Sequence, residues 1–212
     1  MSDKETPETL IALGKKKDVP DFPVRFSFLN AHKARLPRKP KPGELPKFST
    51  QVVISKKSPQ LKMIDKAMRA AAAEHPATKG EDYDTLDLIL RDGDNKKENK
   101  KGYEYLKGCY FFNASCGEKY PPQVVGTRKV VVDEATGKMG LERLTERDIK
   151  SGDYGAVTVN FFGYEANGKK GVAAGLRNMQ KLRSGESLAG ITSADDDFDA
   201  EDDEDGDEDF MK

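Results

Sequence analysis

The chain has 212 residues, 36% of them hydrophobic and 34% charged, against roughly 45–50% apolar and about 25% charged in an ordinary globular chain. No apolar run approaches the ~18 residues of a membrane-crossing helix, the first residues lack a secretory signal, and two cysteines, Cys109 and Cys116, exclude a disulfide framework. The formal charge of −1 conceals opposite parts: residues 195–212 hold twelve acidic side chains and one basic, a net −11, leaving 35 basic and 25 acidic, a net +10, over residues 1–194.

Residues 1–21 are polar, with Lys15, Lys16 and Lys17 in succession, and are predicted to be mobile apart from a helical turn at Thr9–Leu13. Val24–Leu29 alternates and is rich in strand formers, which predicts a first strand with Val24, Phe26 and Phe28 on one face. Residues 32–47 then hold four prolines and six basic side chains, Lys33, Arg35, Arg38, Lys39, Lys41 and Lys47, against one acid, Glu44. Proline removes ladder donors, so this stretch reads as an extended cationic connection to a second strand, Phe48–Ser55. Ser58–Glu74 predicts a helix: Ser58 suits the N-cap, Pro59 the first position, and Leu61, Ile64, Met68 and Ala71 form a stripe. His75-Pro76 ends it.

Leu86–Leu90 reads as a short strand, residues 91–102 as a turn-forming connection, and Gly108–Ala114 as a strong strand. Lys129–Asp133, with a turn at 135–138, opens an inserted hairpin. Tyr154–Glu165 is a long alternating strand, followed by Asn167-Gly168, a strong hairpin signal, and by a partner strand, Gly171–Leu176. The count gives a mainly β fold: a five-stranded, OB-type, partly open barrel with one helix, an architecture that commonly binds oligonucleotides. The predicted domain is 22–190, preceded by the mobile segment 1–21 and followed by a disordered acidic tail, 191–212.

A cationic body attracts polyanions, and single-strand binding without sequence preference joins basic side chains for the backbone to flat rings for the bases. Lys33, Arg35, Arg38, Lys39 and Lys41 can track phosphates from their extended loop. Tyr103 and Tyr105, beside Lys100, Lys101 and Lys107, are the best stacking candidates. Strand parity adds Tyr110 and Phe112, opposed to Phe111, and Phe162 and Tyr164, opposed to Phe161; Lys169, Lys170, Arg177 and Lys181 add cations from the last hairpin. In the tail, Asp195, Asp196, Asp197, Asp202, Asp203 and Asp209 make a polyanion interrupted by Phe198 and Phe210, which suits either the body's own basic groove or a partner's pocket.

Nothing calls for a cofactor or a metal. Asp92 and Asp94 in the RDGD run read as a turn, with Mg²⁺ ligation and nuclease activity as the enzymatic alternative. The two cysteines read as ordinary thiols. A second alternative is a chaperone-like assembly protein without intrinsic single-strand preference.

VRFSFLNA (24–31), PKFSTQVVISK (46–56), LRDGD (90–94), GCYFFNAS (108–115), the block 151–190 and the tail with DDDF (195–198) resemble the bacteriophage single-stranded DNA-binding proteins of the OB-fold type. That resemblance implies cooperative or multimeric coating of unwound DNA in phage replication and recombination. It further implies a tail that recruits replication partners, homo-oligomerisation as a possibility, and a location in the cytoplasm of the infected host. The chain departs from related tails that end on an aromatic residue, because Met211-Lys212 follows Phe210.

Overall fold

Alternation of apolar and polar residues produces ten strands and a single α-helix in a computed structural model, which describes residues 7–15, 17–37, 39–40, 42–95 and 102–188. In chain order they are β1 (Leu10–Leu13), β2 (Val24–Arg35), β3 (Lys47–Ser55), α1 (Leu61–Glu74), β4 (Asp87–Leu88), β5 (Arg91–Asp92), β6 (Cys109–Gly117), β7 (Gln123–Asp133), β8 (Lys138–Arg143), β9 (Tyr154–Ala166) and β10 (Lys169–Arg183).

Five long strands pair in a circuit, β9–β2–β3–β6–β10 and back to β9. All contacts in it are antiparallel except β6 with β10, which is parallel and limited to Ala174↔Ala114 and Gly175↔Ser115. β2 and β9 also meet at only two register pairs. The result is mainly β with one helix, as the sequence predicts, but the strands form a partly closed sheet and not the predicted five-stranded barrel. Its interior holds Phe26, Val52, Phe112, Val159, Phe161, Val172 and Leu176, while α1 turns Ile64, Met68 and Ala71 into the same core.

Four differences from the sequence reading have identifiable causes. Leu10–Leu13 is not a helical turn in a mobile lead but a strand, paired antiparallel with β9 along Leu10↔Asn160 to Leu13↔Val157. Its consecutive apolar residues cover the β9 edge, and the chain leaves through Gly14 at φ +74, where a Cβ would strike Gly155 O at 2.3 Å. The Gly14 amide donates to Gln60 Oε1, which ties β1 to the start of the helix. That start is Leu61, with Gln60 at the cap; Ser58 Oγ instead accepts from the Gln60 amide in the preceding turn.

β2 continues to Arg35, so part of the cationic connection is itself strand. Within β2 the register shifts between Ser27 and Asn30, and Phe28 takes a left-handed φ of +46. That irregularity breaks parity: Val24 and Phe26 are fully buried, but Phe28 is 51% exposed. β10 runs seven residues beyond the predicted Leu176 because a bulge between Leu176 and Asn178 restores the inward phase at Met179. The inserted hairpin forms as predicted. β7 first pairs in parallel with β10 through Gln123–Val125, then runs on with β8 as a two-stranded ribbon.

Candidate nucleic-acid interface

On the outer face of β3 and β6, Val53 and Phe111 form a second, smaller apolar cluster with Leu106. Leu106, 1% exposed, belongs to the 3-10 turn Glu104–Leu106 and pins it to the sheet. Tyr103 and Tyr105 pack on this cluster from above. The turn is held from its other side by the RDGD run. Lys56 Nζ bridges Asp92 and Asp94, Asp94 Oδ1 accepts from the Gly108 amide at 2.9 Å, and the Gly93 amide donates to Cys109 O. Gly93 is required there, since a Cβ would lie 2.1 Å from Leu106 O.

The hydrogen bonds from Lys56 hold both carboxyls below the ordinary aspartate range and raise the Lys56 ammonium further above its own. Asp92 and Asp94, the candidate Mg²⁺ ligands, are therefore joined to an ammonium that closes a loop; among the described residues no group of three metal-ligating side chains occurs. Lys56→Met is expected to free the aromatic turn and weaken single-strand binding roughly fivefold, read by titration with an oligonucleotide. Because the folded carboxyls titrate below their unfolded value of about 4, the clamp's stabilisation is present above that pH and is lost as pH falls through the lowered folded values.

The aromatic turn continues into a line of rings and guanidinium groups. Phe28 and Tyr103 have centroids 5.9 Å apart, and Tyr103 and Tyr105 are stacked at 6.1 Å. The Arg25 guanidinium lies 5.9 Å from the Tyr105 centroid and 5.4 Å from that of Tyr154, and Arg183 sits 3.9 Å over Tyr154. Arg25 is aimed by hydrogen bonds to the carbonyls of Gly152 and Glu186. Burial pushes the Tyr105 phenol upward; its hydroxyl meets Ser27 Oγ at 2.9 Å and donates to Gln51 Oε1. Tyr105 is thus fixed, while the Phe28 and Tyr103 rings border an open groove of about 680 Å³ with Arg91 and Asn113.

A second groove, also about 680 Å³, opens further along β6. It is bordered by Tyr120, Phe162 and Arg177, with Phe162 44% exposed and Lys119 over the Tyr120 ring at 5.5 Å. Asn113 belongs to the first groove and Cys116 to the second, a separation of three strand residues or about 10 Å. An odd spacing turns the two side chains to opposite faces of β6, and the two grooves are separate sites along the strand. Burial raises the Cys116 thiol, so it presents no activated thiolate there.

The structure sorts the sequence candidates. Tyr103 and Tyr105 line or support the first groove, and Phe162 and Arg177 line the second. Arg35 is exposed and stands directly across from Lys47 in the β2–β3 register, and like charges face to face favour an anion between them. Lys33, Lys39, Lys107 and Lys169 are exposed. Phe112 is a correction: at 1% exposure it lies in the core, 5.6 Å from Phe161, because odd and even positions of β6 face opposite sides. Lys181 is another, since it pairs at 2.9 Å with the fully buried Asp153 and holds the sheet together. Lys170 is joined to Glu81, the Tyr164 hydroxyl donates to Asp87, and Tyr110 lies under Lys56. Arg38, Lys41, Lys100, Lys101 and every named tail residue lie outside the described residues.

Sequence reading missed Arg25, Phe28, Tyr154, Arg183, Arg91 and Tyr120. Arg25 and Tyr154 meet across the β2–β9 register, which the sequence does not display, and the Phe28 flip had no signal either.

A sequence family described as Enterobacter phage Enc34, ssDNA-binding protein, matches residues 18–211. A putative protein p50 of Acyrthosiphon pisum secondary endosymbiont phage 1 is 35% identical over 105 residues, 49% of this chain; the match spans only 46% of that relative's length. Among solved structures, the single-stranded DNA-binding protein from bacteriophage Enc34 in complex with ssDNA superposes with a TM-score of 0.62 at 17% identity, covering 84% of this chain and 89% of the other. The same protein solved as "Single-stranded DNA-binding protein from bacteriophage Enc34" gives 0.60 at 16% identity, with 90% of each chain covered. At such identities the structural likeness establishes the fold.

Proposed function

The chain belongs to the family of the bacteriophage Enc34 single-stranded DNA-binding protein, and we propose that it coats and protects unwound DNA during phage replication and recombination in the cytoplasm of the infected cell. The observation that carries this reading is the unbroken line of rings and guanidinium groups from Phe28 through Tyr103, Tyr105, Arg25 and Tyr154 to Arg183. Rings of this kind take any base, because every base has a π-face. Lys33, Arg35, Lys39 and Arg177 neutralise phosphates along the path. Phe28 and Tyr103 stack bases in the first groove and Phe162 in the second. Since only the unpaired strand presents base faces, binding draws the melting equilibrium toward it and destabilises duplex. The acidic tail competes with DNA for the body and, when displaced, recruits replication proteins.

The test is a fluorescence titration of the full chain with oligo-dT and with duplex at several salt concentrations. With about five phosphates neutralised, log K falls against log salt with a slope near −3.5 for the single strand, and oligo-dT binds more tightly than duplex at every salt. Equal weak retention of both would overturn the reading in favour of the chaperone-like alternative.

A further inference from the structure

Only Gln123, at its start, ties the ribbon of β7 and β8 to the second groove. Between residues 123 and 144 it carries four basic side chains, Arg128, Lys129, Lys138 and Arg143, against three acids, Asp133, Glu134 and Glu142, so it offers no cationic stripe. What it offers is apolar surface: Val131 is 52%, Val132 50%, Met139 53% and Leu141 37% exposed. They border a depression of about 810 Å³. β8 is also an open edge, because among the described residues it pairs with β7 alone. An edge strand displays a row of unpaired amides and carbonyls, a template for another strand.

We propose that the occupant of this edge is β8 of a second copy of the chain, paired antiparallel about a two-fold axis through Gly140. The strand's own sequence, Lys138-Met139-Gly140-Leu141-Glu142-Arg143, selects that register. Centred on Gly140, each Lys138 stands opposite the other copy's Glu142, each Met139 opposite the other's Leu141, and glycine meets glycine at the axis. Slipping by one residue in one direction would set Lys138 against Arg143, like charge to like, and in the other would set Lys138 against Leu141 and Met139 against Gly140, losing both ion pairs. The Gly140 register also joins the exposed apolar side chains. Val131 lies directly across from Met139 within each ribbon, so Val131, Met139 and Leu141 of both copies form one continuous stripe on one face of a four-stranded sheet. An interface of this kind is isologous and closes after two copies.

The experiment is sedimentation equilibrium of the full chain without DNA, so its outcome is independent of whether the single-strand reading stands. The wild type is expected to dimerise between micromolar and hundreds of micromolar. Lys138→Glu reverses both ion pairs and weakens the dimer roughly tenfold; adding Glu142→Lys restores most of the loss, which a merely structural role for either residue would not do. Met139→Asp, at an exposed position, abolishes the dimer while thermal melting shows the fold retained. A wild-type chain that stays monomeric throughout, or a dimer indifferent to Lys138→Glu and Met139→Asp, would overturn the proposal.

Discussion

Replacing Tyr103 with alanine is expected to weaken oligo-dT binding by roughly 5- to 150-fold, the worth of one base–aromatic stack at about 1–3 kcal/mol. Tyr103→Phe should stay close to wild type, since the interaction belongs to the ring and not to the hydroxyl. The position is informative because Tyr103 sits between Phe28 and Tyr105 in the stacked series and borders the open groove. Tyr105 is a poorer probe, as its hydroxyl is engaged with Ser27 and Gln51 and its loss would disturb β2 and β3 together. Phe112→Ala supplies the contrast: it empties a core site and should cost about 3–5 kcal/mol of stability, seen in chemical denaturation. If Tyr103→Ala binds like the wild type with the melting curve unchanged, the first groove is not where bases stack.

Removing residues 195–212 is expected to tighten single-strand binding at low salt by about tenfold or more, with the difference vanishing as salt rises. The deletion strips twelve acids and one lysine from a body of net +10. A tethered polyanion competes at an effective concentration in the millimolar range, and both partners in that competition are screened by added salt. The same truncated chain should fail to retain replication proteins in a pull-down that the full chain passes. Equal affinities for the two forms at low salt would show that the tail does not occupy the DNA path.

Strand positions were readable wherever alternation is clean. VRFSFL, FSTQVVIS and YGAVTVNFFGYE each begin within one or two residues of an observed strand, and Val157, Val159 and Phe161 face the core as parity requires. Reading failed where one residue breaks the period. At Phe28 a left-handed backbone turns an apparent core ring outward, and at Leu176–Asn178 a bulge hides the continuation of β10. The candidate site was legible in kind but not in detail. Tyr103 and Tyr105 stood out by their basic surroundings, whereas Arg25 and Arg183, 158 positions apart in the chain, converge on Tyr154 only after the circuit has formed. Lys181 shows the converse limit: sequence marks it as cationic but cannot disclose the buried carboxylate that consumes the charge.

The circuit of five strands is thin at two places, and one of them, the parallel contact between β6 and β10, borders the second groove through Gly175. An occupant of that groove lies against the seam and braces it from outside. Ligation should thus stiffen the scaffold itself: deuterium uptake at Ala114, Ser115, Ala174 and Gly175 would slow on complex formation well before any change reaches the far side of the sheet.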